Sequence, residues 1–479
     1  MNKGDASSSL TDPTRGGRLP PRAQREVIWQ LTRSRSNIFL CGQAGTGKTT
    51  AARHAVNLIR GTDAREHEKV LIAAASANAA KALRGKTLHR LLGSRPQDLR
   101  PPVHMIVQNI ARSKGAVVER FKHASTLVVD EVSNVPPKIL EIVDHVARFA
   151  RERPRESFGG LKVIALGDFY QQAPFTADDE DECLDEGVPR YVFETATWRD
   201  AGFVGVELGL VHRQGDAELA DFLRMVRRGG YDERVDEFVE RNLAVQSGET
   251  VDIAFTRIFA RRDAVDEWND RVISRLYRDD AILRWNAVHE DGSRATSPKC
   301  EFPAELRLAR GVKVCLTRNP MHIRGLPTGT PRDDVDRDVV NGAEGEVVGF
   351  ASFADAKTTS KIPWLAFRDA PPDMFGGNLP IVRFEVCDGS SFDAIVCPTR
   401  YERDSGPAAF QIPLKAVFAM TVHRAQGMTL RKVLVDVAGM VRHAQVYVAL
   451  SRVRDRGDMR VVNWRQVQIV VDPRVSEMW

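Results

Sequence analysis

Eight residues, GQAGTGKT from Gly42 to Thr49, follow the apolar run NIFLC and open a helical pattern. The spacing G-x-x-x-x-G-K-[ST] suits one chemistry, in which the backbone N–H groups of a glycine-rich turn cradle phosphates at a helix N-terminus. Gly42, Ala44, Gly45, Thr46, Gly47 and Thr50 fall in or beside that cradle. Lys48 reaches the β- and γ-phosphates of a nucleoside triphosphate, and Thr49 offers a hydroxyl to Mg²⁺. About eighty residues on, LVVDE ends a strand on Asp130 and Glu131. Asp130 suits holding Mg²⁺ through water, and Glu131 then polarises the water that attacks the γ-phosphate. SFGGLKVIALGDFYQQAP (157–174) delivers Asp168, Gln171 and Gln172 from the end of a further strand, which brings the Gln171 amide to the γ-phosphate. Arg213 in VHRQGD and Arg452 in YVALSR are cations of the kind that neutralise transition-state charge.

Such groups must be carried on the ends of strands. NIFLCG (37–42), KVLIAAA (69–75), STLVVDE (125–131) and LKVIALG (161–167) read as buried strands that alternate with helices, the pattern of a parallel α/β sheet. One intervening helix is 136–151, with Ile139, Ile142, Val143 and Val146 on one face. A second alternating region runs from about 204 to 300, with strand 253–260 and helix 262–277. From about 300 to 412 the runs VKVCL, GEVVGF, WLAF and IVRFEV lie between Gly, Pro and Asp clusters, which predicts a small antiparallel barrel. The α/β pattern returns with KAVFAMTV (415–422), KVLVDV (432–437) and the helical VRHAQVYVALSR. Two α/β domains are therefore expected, the second interrupted by a small β domain.

The 479 residues, 43% hydrophobic and 28% charged, have the composition of a soluble globular protein. No apolar stretch has the length of a bilayer span, and residues 1–18 read as a flexible polar tail. Six scattered cysteines with no C-x-x-C pair argue against structural zinc or a disulfide framework. Net charge is only +5, yet residues 421–460 hold eight Lys/Arg against three Asp, while 178–186 hold seven acids and no base. The acidic run reads as a solvated loop.

Taken in order, these pieces resemble the petite-integration-frequency (Pif) family of superfamily 1B DNA helicases, from Leu19 to Trp464. The stretch 157–174 is similar to that family's signature between its second and third helicase motifs. GKTLHRLLG (85–93) resembles the motif that contacts single strands. VVNGAEGEVVGF (339–350) and IVRFE (381–385) resemble its inserted SH3-like domain, and 411–430 and 445–453 resemble motifs five and six. The resemblance implies two RecA-like P-loop domains. Domain 1A is expected over 19–203 with a wedge insert at about 93–121, domain 2A over 204–300 and 411–479, and the SH3-like domain 2B over 301–410. ATP with Mg²⁺ is the implied cofactor, lying between 1A and 2A. Gln24 would pair with adenine, Gln426 and Gly427 would face the nucleotide, and Thr87, His89, Thr421 and His423 would contact DNA. The implied activity is ATP hydrolysis coupled to 5′-to-3′ translocation and unwinding, in DNA replication, repair, recombination or telomere maintenance. The implied partners are single-stranded and forked duplex DNA, met by a monomer, with oligomers on DNA left open and no membrane. The implied compartment is intracellular: nucleus or mitochondrion in a eukaryote, cytoplasm otherwise.

The chain departs from the family pattern in HRQ for FRQ, in DEVSNV, in Gln172-Ala173 after Gln171, and in Arg262 after strand 253–260. Two other readings use the same residues: an RNA-directed superfamily 1 helicase, and a nucleic-acid-binding scaffold with weak ATPase. The SFGG…GDF signature argues against the first. Retention of Lys48, Asp130, Glu131 and Arg452 argues against the second.

Overall fold

Each apolar run of the N-terminal region becomes a strand: β1 (Ile38–Cys41), β2 (Val70–Ala74), β4 (Thr126–Asp130) and β5 (Lys162–Gly167), with a two-residue β3 (Lys86–Thr87). β1, β2 and β4 are buried at every residue. Burial on both faces is what a parallel sheet covered by helices requires of its strands. A sixth strand, β6 (Val204–Glu207), completes the sheet in the order β3-β2-β4-β5-β1-β6, and every pairing is parallel.

The computed structural model describes residues 22–61, 69–174, 189–209, 213–214, 216–229, 232–245, 252–296, 302–324, 339–352, 362–366, 375, 378–385, 390–402, 407–464 and 469–478. The expected tail 1–18 and the acidic run 178–186 lie outside the described residues. Contacts divide the chain into two units. The first holds Gly85–Asp168, Ala173–Arg213 and the residues up to Ala75. The second holds Ser76–Arg84, Phe169–Gln172 and everything from Gln214. Among the described residues no helix is long and apolar enough to cross a membrane.

One expected boundary moves. Residues 204–207 were expected to open the second domain, but they pair in parallel with β1, Val204 opposite Ile38 and Glu207 opposite Cys41. The reason is local: β1 already pairs with β5 on one side, and its other edge carries backbone groups that need a partner. The expected wedge region holds two helices, Val103–Ser113 and Gly115–His123, which bury Ile106, Ile110, Val117 and Phe121.

The residues SFGG have a structural task. Phe158 and Gly159 both adopt left-handed backbone (φ 51 and 58) in a tight turn leading into β5. Asp144, buried on the helix Pro137–Ala150, accepts the Phe158 N–H at 2.5 Å and the Arg148 Nε–H at 2.8 Å. A Cβ on Gly159 would stand 2.6 Å from the Ala147 carbonyl oxygen. Gly159→Ala therefore combines positive-φ strain with a backbone clash. The expected loss is about 2–4 kcal/mol, read as a lower midpoint in urea unfolding of the first unit.

The second unit contains a four-stranded parallel sheet in the order Ala419–Thr421, Thr256–Phe259, Val433–Asp436, Met459–Val462. It also contains a seven-stranded, mainly antiparallel sheet. The four runs read as barrel strands all enter that sheet, as Lys313–Leu316, Glu344–Ser352, Trp364–Ala366 and Asn378–Glu385. Val347, Leu365, Val382, Ile395 and Leu414 lie in its core. The run 415–422, expected as one strand of the α/β sheet, is divided. Leu414–Ala416 pairs with Lys313–Leu316 in the antiparallel sheet, and Ala419–Thr421 pairs with Thr256–Phe259 in the parallel one. An unbroken apolar run satisfies either sheet, so its composition does not mark the crossing. Likewise Leu283–Asn286 pairs with Glu305–Leu308, across the expected boundary at 300.

Candidate nucleotide and nucleic-acid site

The phosphate cradle stands at the end of β1, where the chain must turn sharply into the helix Lys48–Arg60. Gly42, Gly45 and Gly47 hold positive φ, and a Cβ on Gly42 would stand 2.6 Å from the Leu208 carbonyl oxygen. Among the described residues no side chain caps the helix start, a condition in which the first N–H groups of a helix can turn to an anion. Lys48 Nζ donates to the carbonyls of Gly42 (2.7 Å) and Gln43 (3.2 Å). Thr46 Oγ1 donates to the Gln43 carbonyl at 2.9 Å, which closes the turn from inside. Ala44 and Thr46 are buried, whereas Thr50 is exposed. Gln24, 5% exposed, lies with its Nε2 3.4 Å from the Thr46 carbonyl, at the long limit of a hydrogen bond.

Beside the cradle, Thr49 Oγ1 donates to Asp130 Oδ2 at 3.1 Å. Asp130 is buried, and its pKa is pushed up to about 7 by burial first and by the Glu131 carboxylate second. The Glu131 N–H (2.8 Å), the Thr49 hydroxyl and the Lys48 charge work the other way. A buried acid in that condition gains from a nearby cation. Glu131 takes left-handed backbone (φ 52, ψ 46), and its buried Oε2 has no hydrogen-bond partner among the described residues. A non-glycine residue in that region costs about 1–2 kcal/mol, and such strain gathers where a side chain must be aimed. Arg213 was expected in the second domain. It closes the first unit instead, and its N–H donates to the Gly45 carbonyl at 3.0 Å.

In the second unit the helix Gln445–Leu450 leads to Arg452, which is 1% exposed. Arg452 Nε donates to the Val448 carbonyl at 2.6 Å, Nη1 lies 3.4 Å from the carbonyls of Ala425 and Met428, and Nη2 donates to Ser451 Oγ. The guanidinium is thereby fixed against the segment that carries Gln426 and Gly427. Gln426 is buried with neither amide atom hydrogen-bonded among the described residues, and Gly427 has φ 77. An unpaired buried amide costs free energy, and a polar ligand would remove that cost. Gln171 is in the same condition at its Oε1.

The four expected DNA-contacting residues fall on two matching turns. β3 is the edge strand of its sheet and Ala419–Thr421 the edge strand of the second parallel sheet. Each ends on a threonine that caps a one-turn helix. Thr87 Oγ1 accepts the Arg90 N–H (3.3 Å), and Thr421 Oγ1 accepts the Arg424 N–H (3.4 Å). The sequences are Thr-Leu-His-Arg and Thr-Val-His-Arg, with the middle apolar residue buried in both. His423 is exposed, while His89 is half-buried and its pKa is lowered by that burial.

Two further residues of the second unit make long-range contacts. Gln214 Nε2 donates to the Val453 carbonyl at 3.1 Å, next to Arg452. His443 contacts the carbonyls of Phe169 and Gln171. Both rest on side-chain-to-backbone bonds between segments remote in the chain, which leave no local pattern.

The PIF1-like helicase family model matches residues 22–236. ATP-dependent DNA helicase PIF6 of Trypanosoma brucei brucei is 30% identical over 491 residues, covering 99% of this chain and 57% of that one. The chain spans about three fifths of the length of the first curated relatives it matches. Among solved structures, Pif1 helicase from Candida albicans aligns over 96% of this chain and 99% of its own, with TM-score 0.72 and 24% identity. Pif1 helicase from Bacteroides in complex with ADP-AlF3 and ssDNA aligns over 96% of this chain and 97% of its own, with TM-score 0.65 and 21% identity. These likenesses make the fold the α/β RecA-like helicase fold. With a P-loop, a Thr–Asp pair and the buried Arg452 in place on that fold, the chain is similar to the PIF1-like helicases, whose family model spans its residues 22–236.

Proposed function

We propose that this chain is an ATP-dependent DNA helicase of superfamily 1B that translocates 5′ to 3′ on single-stranded DNA and opens forked duplexes. The observation that carries the reading is the P-loop with Thr49 on Asp130 and the strained Glu131 at the end of the same strand. The names of the relatives, ATP-dependent DNA helicases, and the Bacteroides complex with ADP-AlF3 and ssDNA support it.

In this reading the backbone N–H groups of Gly42–Thr50 hold the nucleotide phosphates and Lys48 neutralises the β- and γ-oxygens. Thr49 and Asp130 would hold Mg²⁺, which supplies charge neutralisation at the phosphates. Their separation of 3.1 Å and the raised pKa of Asp130 fit a cation. Glu131 takes the proton of the attacking water, and its partnerless buried oxygen suits that task. Gln24 pairs with adenine, Gln171 reports the γ-phosphate, and Gln426 with Gly427 contributes to the nucleotide cleft. Arg213 and Arg452 stabilise the transition-state charge. Thr87, His89, Thr421 and His423 hold the DNA backbone, each threonine through the hydroxyl proton left over from capping. The mainly antiparallel sheet of 313–416 supports reading this region as an SH3-like insert, which would mark the 5′-to-3′ branch.

Strand displacement on matched substrates tests the reading. A duplex with a 5′ single-stranded tail should be unwound at least about tenfold faster than one with a 3′ tail, and a blunt duplex should not be opened. Raising salt should inhibit steeply, because the grips act on phosphates. Unwinding from the 3′ tail alone would overturn the polarity.

A further inference from the structure

We infer that His443 is a positioning residue that keeps the Gln171 segment in register with the helix leading to Arg452. The inference rests on the ATPase reading above and assigns His443 a part in it. His443 is 7% exposed. Its Nδ1 accepts the Asp472 N–H at 2.8 Å, which places the ring proton on Nε2. Nε2 lies 3.1 Å from the Phe169 carbonyl and 3.1 Å from the Gln171 carbonyl, so one N–H is shared between them. All these residues belong to the second unit.

Both ends of the bridge are anchored. The Asp472 carboxylate accepts both the N–H and the guanidinium of Arg474, the latter at 3.0 and 2.7 Å. On the other side, Arg227 lies over the Tyr170 ring, 4.2 Å from its centroid, which pins the residue between the two carbonyls. Ala444 follows His443 directly. It takes left-handed backbone (φ 62), donates its N–H to the Val470 carbonyl at 3.0 Å, and caps the helix Gln445–Leu450. The Gln171 backbone is thus held by the residue that precedes this helix, while its buried Oε1 has no hydrogen-bond partner among the described residues. A fixed backbone with an unpartnered amide oxygen leaves the side chain to be turned by a ligand, its NH₂ being the end that meets a phosphate. Any displacement of the Gln171 peptide by a bound γ-phosphate is passed through the imidazole to the helix that ends two residues before Arg452.

Neutral imidazole suits the position because it accepts at one edge and donates at the other. Glutamine keeps a donor near the Nε2 position, and phenylalanine keeps only the shape. With saturating single-stranded DNA, H443A and H443F should each lower kcat for ATP hydrolysis about tenfold, with KM for ATP within about threefold of wild type. H443Q should restore kcat to within about threefold. In the wild-type chain, a non-hydrolysable ATP analogue should slow amide exchange in 169–172 and in 444–450 together, a measurement that does not depend on how the variants fold. Wild-type kcat in H443F, an H443Q as slow as H443A, or protection of one segment without the other would each overturn the inference. A wild-type chain that neither binds nor hydrolyses ATP would overturn the proposed function itself, and this inference with it.

Discussion

Lys48→Ala should leave a folded chain whose DNA-stimulated ATP hydrolysis has fallen on the order of a thousand-fold. The size follows from what the ammonium does. In the proposed mechanism it is the one side-chain charge of the P-loop, and the charge it would meet grows as the γ-phosphoryl group departs. The structural cost is small by comparison. Lys48 sits at the first position of its helix, where alanine is a better helix former, and its Nζ donates to the loop carbonyls of Gly42 and Gln43. Circular dichroism and melting should therefore match wild type. Steady-state hydrolysis with saturating single-stranded DNA is the deciding measurement, and turnover at the wild-type rate in a folded K48A would remove the P-loop from the mechanism.

Arg452→Lys should be nearly as damaging to turnover as Arg452→Ala, on the order of a thousand-fold, with ATP affinity changed only several-fold. A lysine keeps the charge but loses the planar fork that reaches Val448, Ala425, Met428 and Ser451 at once. The alanine variant also leaves buried carbonyls unpaired, at about 1–3 kcal/mol for each group left unsatisfied, so its melting temperature must be read beside its rate. The lysine variant separates charge from geometry. If R452K lost affinity for ATP while turning over normally, Arg452 would serve ground-state binding rather than the transition state.

Much of this was legible in the sequence, for definite reasons. Strands β1, β2, β4 and β5 begin and end within about a residue of their apolar runs, because burial on both faces leaves no polar interruption to blur them. The P-loop is legible because few arrangements other than a phosphate cradle need glycine at 42 and 47 with lysine at 48. β6 was misassigned because Val-Gly-Val-Glu on an exposed edge carries little hydrophobic signal. The crossing within 415–422 was hidden because both sheets accept the same apolar residues. Arg452 was recognised as chemically important, but its burial was not, since arginine is mostly a surface residue. His443 was missed because its partners are backbone atoms, two of them more than 270 residues away and the third 29.

The two threonine turns divide a task that is often treated as single. A hydroxyl has two lone pairs and one proton, and in each turn a lone pair is committed to an arginine N–H. Folding thus occupies one lone pair of the group and, among the described residues, leaves its proton without an acceptor. An aspartate in the same place would close the turn as well but would have nothing to give, and an alanine would do neither. Because the device stands on the edge strand of each parallel sheet, either copy can be silenced while the other stays intact. If these turns grip DNA as proposed, load on a bound strand is a divisible quantity, measurable as the share of stall force lost when each hydroxyl is replaced in turn.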